Sequence, residues 1–330
     1  MQPIYMTGHQ RPVHKVVHNL DGDLLFSCSD DGKVCMYNTH QCVRTGVFEV
    51  KEAVTSIAVT LDSKYLIAAA MTTGFIVFNV ADGRQAKRVE TKALQNKQVS
   101  LSFGDKQLLV LFDLERVSHV RVYDMNEVLR EDAPKHSFEI KGTRDATWTH
   151  AKWYRLNKSI IVSTNTGQLI MYDLASKTAT RTVQVHKAEI FKTYLTHDFT
   201  MLVTCSRDGN ACLVNPETFE VVRTFVYGKP VRSACISPLF EDPDHQKFDI
   251  MIAGGQDAKD VTTTTAEAGG FEMKLFSIFY NEKLAEIHGH FGPVHSIDFS
   301  PDGRAFASGA EDGYVHYHQL PPEYFSKKFE

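Results

Sequence analysis

Short apolar segments recur along the whole chain, and polar turns rich in Asp and Gly separate them. Near the end, the segments VHSIDFS, RAFASGA and YVHYHQL are divided by Pro301-Asp302-Gly303 and Glu311-Asp312-Gly313. Short segments joined by Asp-Gly turns are typical of β-hairpins. No long segment has the 3.6-residue apolar spacing of an amphipathic helix. The pattern therefore predicts an all-β protein.

Certain polar and aromatic positions recur in a fixed frame in three parts of the chain. Counting from a histidine, a Ser or Thr follows after 18 residues, an Asp after 22 and a fourth position after 28. A glycine follows each of these aspartates. Repeats of about 40 residues indicate propellers and related arrays. The three sets are His9, Ser27, Asp31 and Tyr37; His186, Thr204, Asp208 and Val214; and His290, Ser308, Asp312 and His318.

The frame divides the chain into seven units of four short strands, which begin near residues 9, 50, 95, 144, 186, 228 and 290. Four-stranded blades arranged around an axis are how propellers limit exposed sheet edges. We therefore predict a single seven-bladed WD40 β-propeller over residues 1–320, followed by a short C-terminal tail over 321–330. The last unit has three strands of its own, so residues 3–7 are expected to complete it and close the ring.

Two insertions make the sixth unit irregular. One spans residues 238–247, and the other, with the sequence GQDAKDVTTTTAEAGG, spans residues 255–270. The run VTTTT is β-branched and poorly suited to a flexible linker. We expect the second insertion to be ordered, either as an extra strand or against a partner.

Composition and charge narrow the function. The 330 residues include 36 basic and 40 acidic side chains, interleaved along the chain, with a formal net charge of −4. Direct nucleic-acid binding, which favours a basic excess on one face, is therefore not expected. No apolar run approaches the roughly 20 residues of a membrane helix, and the first residues lack the apolar core of a signal peptide. We expect a cytoplasmic protein without a membrane interaction.

Two kinds of chemistry compete with a purely structural role for the recurring polar residues. His290, Ser308 and Asp312 have the residue types of a hydrolase triad, but the same trio recurs in the first unit and, with Thr, in the fifth. His316 and His318 share a face of a strand, yet a zinc site needs three or four converging ligands. The six cysteines form no CxxC pair. The sequence therefore predicts no catalytic residue, metal or cofactor, and assigns the three sets to hydrogen-bonded networks.

Three segments resemble one family more closely than a generic WD repeat. Gly289–His318 (GHFGPVHSIDFSPDGRAFASGAEDGYVHYH) closely resembles the last blade of subunit i of eukaryotic translation initiation factor 3. Gly8–Gly32 (GHQRPVHKVVHNLDGDLLFSCSDDG) resembles the first blade of that family. PVRSACISPL, GGQDAKDVTTTT and GGFEMKLF are similar to its sixth blade.

The resemblance implies a scaffold subunit of translation initiation factor 3. Such subunits contact the C-terminal region of the b subunit and the g subunit, and reach the small ribosomal subunit through the complex. A different WD40 adaptor, such as a ubiquitin-ligase substrate receptor or a signalling scaffold, is the alternative, and an enzyme is the third class. Partner contacts are expected on the fifth and sixth blades, at Arg207, Asp208, Arg223, Tyr227, Lys229 and Arg232.

Overall fold

The computed structural model describes residues 2–241, 247–256 and 270–326. These residues form 28 strands in seven antiparallel sheets of four strands each, which confirms the all-β propeller. Each sheet packs against a neighbouring sheet on both of its faces, so second strands such as Ser159–Thr164 and Ala305–Ala310 are buried along their whole length. Among the described residues, no helix is both long and apolar enough to cross a bilayer.

The first strand, β1 (Ile4–Met6), belongs to the last blade, so the first complete blade begins with the second strand. In each blade the chain runs from the innermost strand to the outermost one. The strands of the first three blades are β2 (Val13–His18), β3 (Leu24–Ser29), β4 (Lys33–Asn38), β5 (Val43–Glu49), β6 (Val54–Val59), β7 (Tyr65–Ala70), β8 (Gly74–Asn79), β9 (Gln85–Glu90), β10 (Gln95–Leu101), β11 (Gln107–Leu114), β12 (Val117–Asp124) and β13 (His136–Lys141).

The remaining blades follow the same order, and the seventh takes β1 as its outer strand. Their own strands are β14 (Trp148–Tyr154), β15 (Ser159–Thr164), β16 (Gln168–Asp173), β17 (Thr178–Gln184), β18 (Ile190–Leu195), β19 (Leu202–Ser206), β20 (Asn210–Val214), β21 (Val221–Val226), β22 (Val231–Ile236), β23 (Asp249–Gly254), β24 (Met273–Ser277), β25 (Lys283–Ile287), β26 (Val294–Phe299), β27 (Ala305–Ala310) and β28 (Val315–Gln319).

The blades are arranged in a closed ring. The inner strands contact one another in the cycle β2, β6, β10, β14, β18, β22, β26 and back to β2. Seven hydrophobic clusters occupy the described residues, and each one lies between two adjacent blades. The cluster between the seventh and first blades contains Met6, Tyr37 and Tyr317. The core is therefore a ring of inter-blade layers around an axial cavity.

Closure of the ring depends on the pairing of β1 with β28. The two strands are antiparallel, with Ile4 opposite Tyr317, Tyr5 opposite His316 and Met6 opposite Val315. The side chain of Met6 is only 2% exposed because it packs in the cluster between the last and first blades. The predicted closure by the N-terminal strand is therefore confirmed.

The described part of the chain also contains three short helices, which the sequence pattern did not indicate. α1 (Met125–Arg130) joins β12 to β13, and its N-terminus is capped by the Asp124 carboxylate. A 3-10 helix (Pro238–Glu241) begins the first insertion of the sixth blade. α2 (Pro322–Ser326) lies in the C-terminal tail.

The tail is docked, since the Tyr324 hydroxyl donates to the Asp249 carboxylate at 2.8 Å. The expected order of the 255–270 insertion stays a prediction. Residues 257–269 lie outside the described residues, as do residues 242–246 of the other insertion.

Candidate functional site

The three predicted sets form nearly identical hydrogen-bonded networks on one face of the ring. In each, a histidine from the loop before the inner strand bridges the turn aspartate and the hydroxyl of the second strand. The His Nδ1 to Asp Oδ2 and His Nε2 to hydroxyl distances are 2.9 and 2.7 Å for His9 with Asp31 and Ser27, 2.9 and 2.7 Å for His186 with Asp208 and Thr204, and 3.0 and 2.8 Å for His290 with Asp312 and Ser308.

Each aspartate also holds the backbone of its loop and its turn. Asp312 accepts from the N–H of Phe291 at 2.9 Å and from the N–H of Tyr314 at 3.0 Å. Burial alone would raise the pKa of Asp312, but hydrogen bonds from His290 and these N–H groups lower it. The turn requires a glycine at position 313, because its φ is +81° and the Cβ of any other residue would lie against the backbone of Arg11. The network therefore fixes the turn to the loop of the same blade.

Burial supports a structural role for these networks and not a hydrolase triad. The hydroxyl-bearing residues Ser27, Thr204 and Ser308 are fully buried. A catalytic nucleophile has to reach its substrate, and these side chains lie beneath the turn that they stabilise. The recurrence of the same geometry in three blades is what the repeat requires.

The fourth position of the frame behaves differently in each network. In the first blade the Tyr37 hydroxyl lies 3.5 Å from Ser27 Oγ, so the aromatic residue reaches the network. In the fifth blade, the side chain of Val214 has no polar atom to contribute. In the seventh, His318 is not part of the network, contrary to the sequence interpretation, and neither of its ring nitrogens has a hydrogen-bond partner among the described residues.

The ring of His318 is stacked on a neighbouring aromatic ring and is not hydrogen-bonded to the network. Its ring lies flat on Phe306, with centroids 4.6 Å apart and planes 8° apart. His316, two residues earlier, stacks on His290 at 3.8 Å and also has no partner for its ring nitrogens within the described chain. Burial, together with the neighbouring histidines, lowers the pKa of His316 to about 4 and that of His318 to about 3.

One group of metal-type ligands occurs among the described residues, and sequence spacing did not suggest it. Glu272, Glu286 and His288 have ligand atoms within 4.8 Å of one another. Lysines already pair with both carboxylates, Lys274 with Glu272 at 3.3 Å and Lys283 with Glu286 at 2.5 Å. The group is therefore an ion-pair cluster on the sixth blade.

The six residues predicted to bind partners do not share one surface. Arg223 is exposed on the outer strand β21, whereas Arg207 lies on a turn of the hydrogen-bonded face. Arg232 lies on the inner strand β22, with its guanidinium over Phe191 at 4.9 Å. Asp208 is hydrogen-bonded to His186 within its network. Tyr227 is 4% exposed, and its hydroxyl donates to the Glu272 carbonyl. Lys229 is half-buried in the loop before β22.

The rim of the fifth and sixth blades has an exposed apolar surface that sequence reasoning missed. On β21, Val222 is 62% and Val226 is 70% exposed; Val222 directly precedes Arg223, and Val226 follows it three residues later. Phe279 and Tyr280, in the turn before β25, are also exposed. The neighbouring Asn281 amide lies 3.5 Å from the Thr224 carbonyl of β21. We call this surface the rim patch; it comprises Val221, Val222, Arg223, Val226, Phe279 and Tyr280.

The closed ring of seven blades and the repeated His–Asp networks define a WD-repeat β-propeller. Comparison with known proteins narrows this class. The EIF3I family model matches residues 1–330. Eukaryotic translation initiation factor 3 subunit I of Dictyostelium discoideum is 36% identical to the chain, over 98% of this chain and 96% of that protein. The proteins of that name from Homo sapiens and Mus musculus are 31% and 30% identical over the full length of both chains. The chain belongs to the family of eukaryotic translation initiation factor 3 subunit I.

Proposed function

We propose that the chain is a non-catalytic scaffold subunit of translation initiation factor 3 in the cytoplasm. In this role it binds other subunits, namely the C-terminal region of the b subunit and the g subunit. It supports assembly of the small-subunit preinitiation complex through those contacts, without binding nucleic acid itself. Membership of the family supports a role in translation initiation. The rim patch supports the binding of other subunits.

The observation that carries the proposal is the composition of the outer strand of the fifth blade. Outer strands of a propeller face solvent, and β17 of the fourth blade, TATRTVQ, has the polar sequence expected there. β21, with the sequence VVRTFV, instead exposes three valines around an arginine. Apolar side chains next to an arginine and aromatic residues are typical of the centre of a protein interface. We therefore place subunit binding at the rim patch.

This placement changes the set of residues expected to matter. Arg223 remains a candidate contact because it lies within the rim patch. Asp208 and Tyr227 instead support the fold, since one completes a His–Asp network and the other is buried. Arg232 lies on an inner strand, on the axial side of the blade.

Co-purification from a native lysate tests the rim patch. A tagged Val222→Asp, Val226→Asp double variant and, separately, Arg223→Glu should lose translation initiation factor 3 subunits by about tenfold or more, because truncating a central contact costs about 2 kcal/mol. Val47→Asp is the matched control, since Val47 lies exposed on the outer strand of the first blade. Thermal unfolding should be similar for all variants because every changed residue is exposed.

The alternatives give different results in the same experiment. Recovery of the same subunits by the parent and by all rim variants would refute the rim patch, while leaving membership of the complex intact. Recovery of ubiquitin-ligase or signalling proteins in place of initiation factors would refute the scaffold proposal itself. A hydrolase activity lost in Ser308→Ala would contradict the non-catalytic role.

A further inference from the structure

The axis of the ring contains a cavity of about 230 Å³ that the described function does not use. Inner strands of all seven blades contribute to its wall, from β2 to β26. We call it the axial channel. Because a water molecule occupies about 30 Å³ in the liquid, the channel has room for a small ion with several waters.

The wall of the axial channel is strongly cationic. Lys15, Lys152 and Lys192 enter it from the first, fourth and fifth blades. The one carboxylate among the wall residues, Asp298, already accepts from the N–H of His18 at 2.8 Å and from its ring at 3.0 Å. A fourth lysine, Lys97, has a carboxylate of its own in Asp113 at 2.7 Å. The other three ammonium groups therefore face a single carboxylate.

The three unbalanced lysines differ in how they are stabilised. Lys15 donates to the Ile57 carbonyl at 2.7 Å, and Lys192 donates to the carbonyls of His14 and His295 at 2.9 and 2.6 Å. Lys152 has neither a hydrogen bond nor an ion pair with any described residue. An ammonium group held inside a protein without a partner is unfavourable. The ammonium group of Lys152 is therefore available to an anion that enters the axial channel.

The lysines also disfavour one another's charge. Burial, followed by repulsion from Lys15, lowers the pKa of Lys152 to about 8 and that of Lys192 to about 7. His150 lies among them, and burial together with Lys152, Lys15 and Lys192 lowers its pKa. An anion between these groups would restore their charged forms, so its binding would be coupled to proton uptake.

A hydroxyl without a partner completes the donor set. Ser56 is 3% exposed, lines the axial channel from the second blade, and its Oγ has no hydrogen-bond partner among the described residues. We propose that the axial channel binds one small oxyanion of the phosphate class, held by the ammonium groups of Lys15, Lys152 and Lys192 with Ser56 as a further donor. A divalent oxyanion is favoured over chloride because it balances the charge left by three lysines and one carboxylate, and offers several acceptors.

Calorimetric titration of the full chain with inorganic phosphate tests this site at pH 7.5. We expect one phosphate per chain, tighter binding of pyrophosphate, and no comparable heat from chloride at equal ionic strength. Lys152→Met should weaken phosphate binding about tenfold or more, as expected for loss of a charged hydrogen bond. Lys106→Met, which changes an exposed lysine outside the channel, is the matched control.

Proton uptake separates the channel from surface lysines. Titrations with sulfate, an oxyanion of the same class that holds no proton near pH 7.5, in two buffers of different ionisation enthalpy should show proton uptake on binding by the parent, and less uptake by Lys152→Met. Lys15, Asp298 and His150 face Lys152, and Lys192 acts on His150 and is itself affected by Lys15. Without phosphate, Lys152→Met should melt at the same temperature as the parent or higher, because it removes a charge without a partner. Binding no stronger than that of chloride, equal affinity in Lys152→Met, or binding without proton uptake would each overturn the site.

Discussion

At the scale of single residues, the seventh blade departs from the frame that it helps to define. His318 occupies the position where Tyr37 reaches the network of the first blade, yet it stacks on Phe306 and leaves both ring nitrogens without partners. A buried polar atom without a hydrogen bond costs about 1–3 kcal/mol. The imidazole of His318 contributes a flat ring that stacks on Phe306. A phenyl ring at this position would stack in the same way without burying two unpaired nitrogens.

The stacked histidines make the ring sensitive to acid. The pKa of His318, about 3 in the folded chain, lies below the value of about 6.5 in an unfolded one. As the pH falls below 6.5, the unfolded chain takes up this proton first, so the free energy of unfolding decreases. Between pH 6 and pH 4 this residue alone should account for about 2 kcal/mol. His318→Phe should remove that part of the loss, as measured by denaturant unfolding at each pH.

A matched variant separates this effect from the general acid response of carboxylates. His40 is exposed, so His40→Phe should leave the pH dependence of unfolding unchanged. At pH 7, His318→Phe should be as stable as the parent or more stable by about 1 kcal/mol, because it removes two unpaired nitrogens. Parallel pH profiles for the parent and His318→Phe would mean that the histidine is hydrated in solution.

At the scale of secondary-structure elements, the shortest strand closes the ring. β1 pairs along three residues of β28, and Met6 packs in the cluster between the seventh and first blades. Deleting residues 1–7 exposes the edge of β28 and empties the Met6 position, which alone costs about 2–5 kcal/mol. The deletion should therefore lower the melting temperature clearly in a calorimetric scan.

Single substitutions within β1 show which contact matters. Met6→Ala should reproduce much of the loss, whereas Ile4→Ala should change stability by less than about 0.5 kcal/mol because Ile4 is partly exposed. An unchanged melting temperature after the deletion would mean that closure by β1 contributes no stability.

The elements also show what the sequence could and could not predict. The Asp-Gly turns and histidines predict the networks because those contacts lie within one blade and depend on local geometry. The stacking of His316 on His290 depends on ring orientation, which spacing does not determine. The docking of α2 through Tyr324 joins residues 75 positions apart, and no repeat marks it.

At the scale of the whole molecule, the features that sequence reasoning missed arise from ring closure. Lys15, Lys152 and Lys192 belong to three blades, and they meet only because all inner strands line one axis. The rim patch likewise combines an outer strand of the fifth blade with a turn of the sixth. Residues far apart along the chain converge in both places, which a search based on repeats within blades does not detect.

Ring closure also predicts that distant blades unfold together. Each of the seven clusters joins two neighbours, so no blade can lose its packing without weakening the next. The only two tryptophans, Trp148 and Trp153, are both buried in the fourth blade. Their fluorescence therefore reports on the fourth blade and its packing against the third, while far-ultraviolet circular dichroism reports on all strands.

A cavity in the first blade should consequently shift the unfolding of the fourth. Phe26 is fully buried in the cluster between the first and second blades, and Phe26→Ala should cost about 3–5 kcal/mol. If the ring unfolds as one unit, tryptophan fluorescence and circular dichroism should shift to the same lower denaturant midpoint. Val47→Ala, an exposed change in the same blade, should leave both midpoints in place. A shift confined to circular dichroism would instead show that blades unfold separately, and that closure of the ring does not couple them.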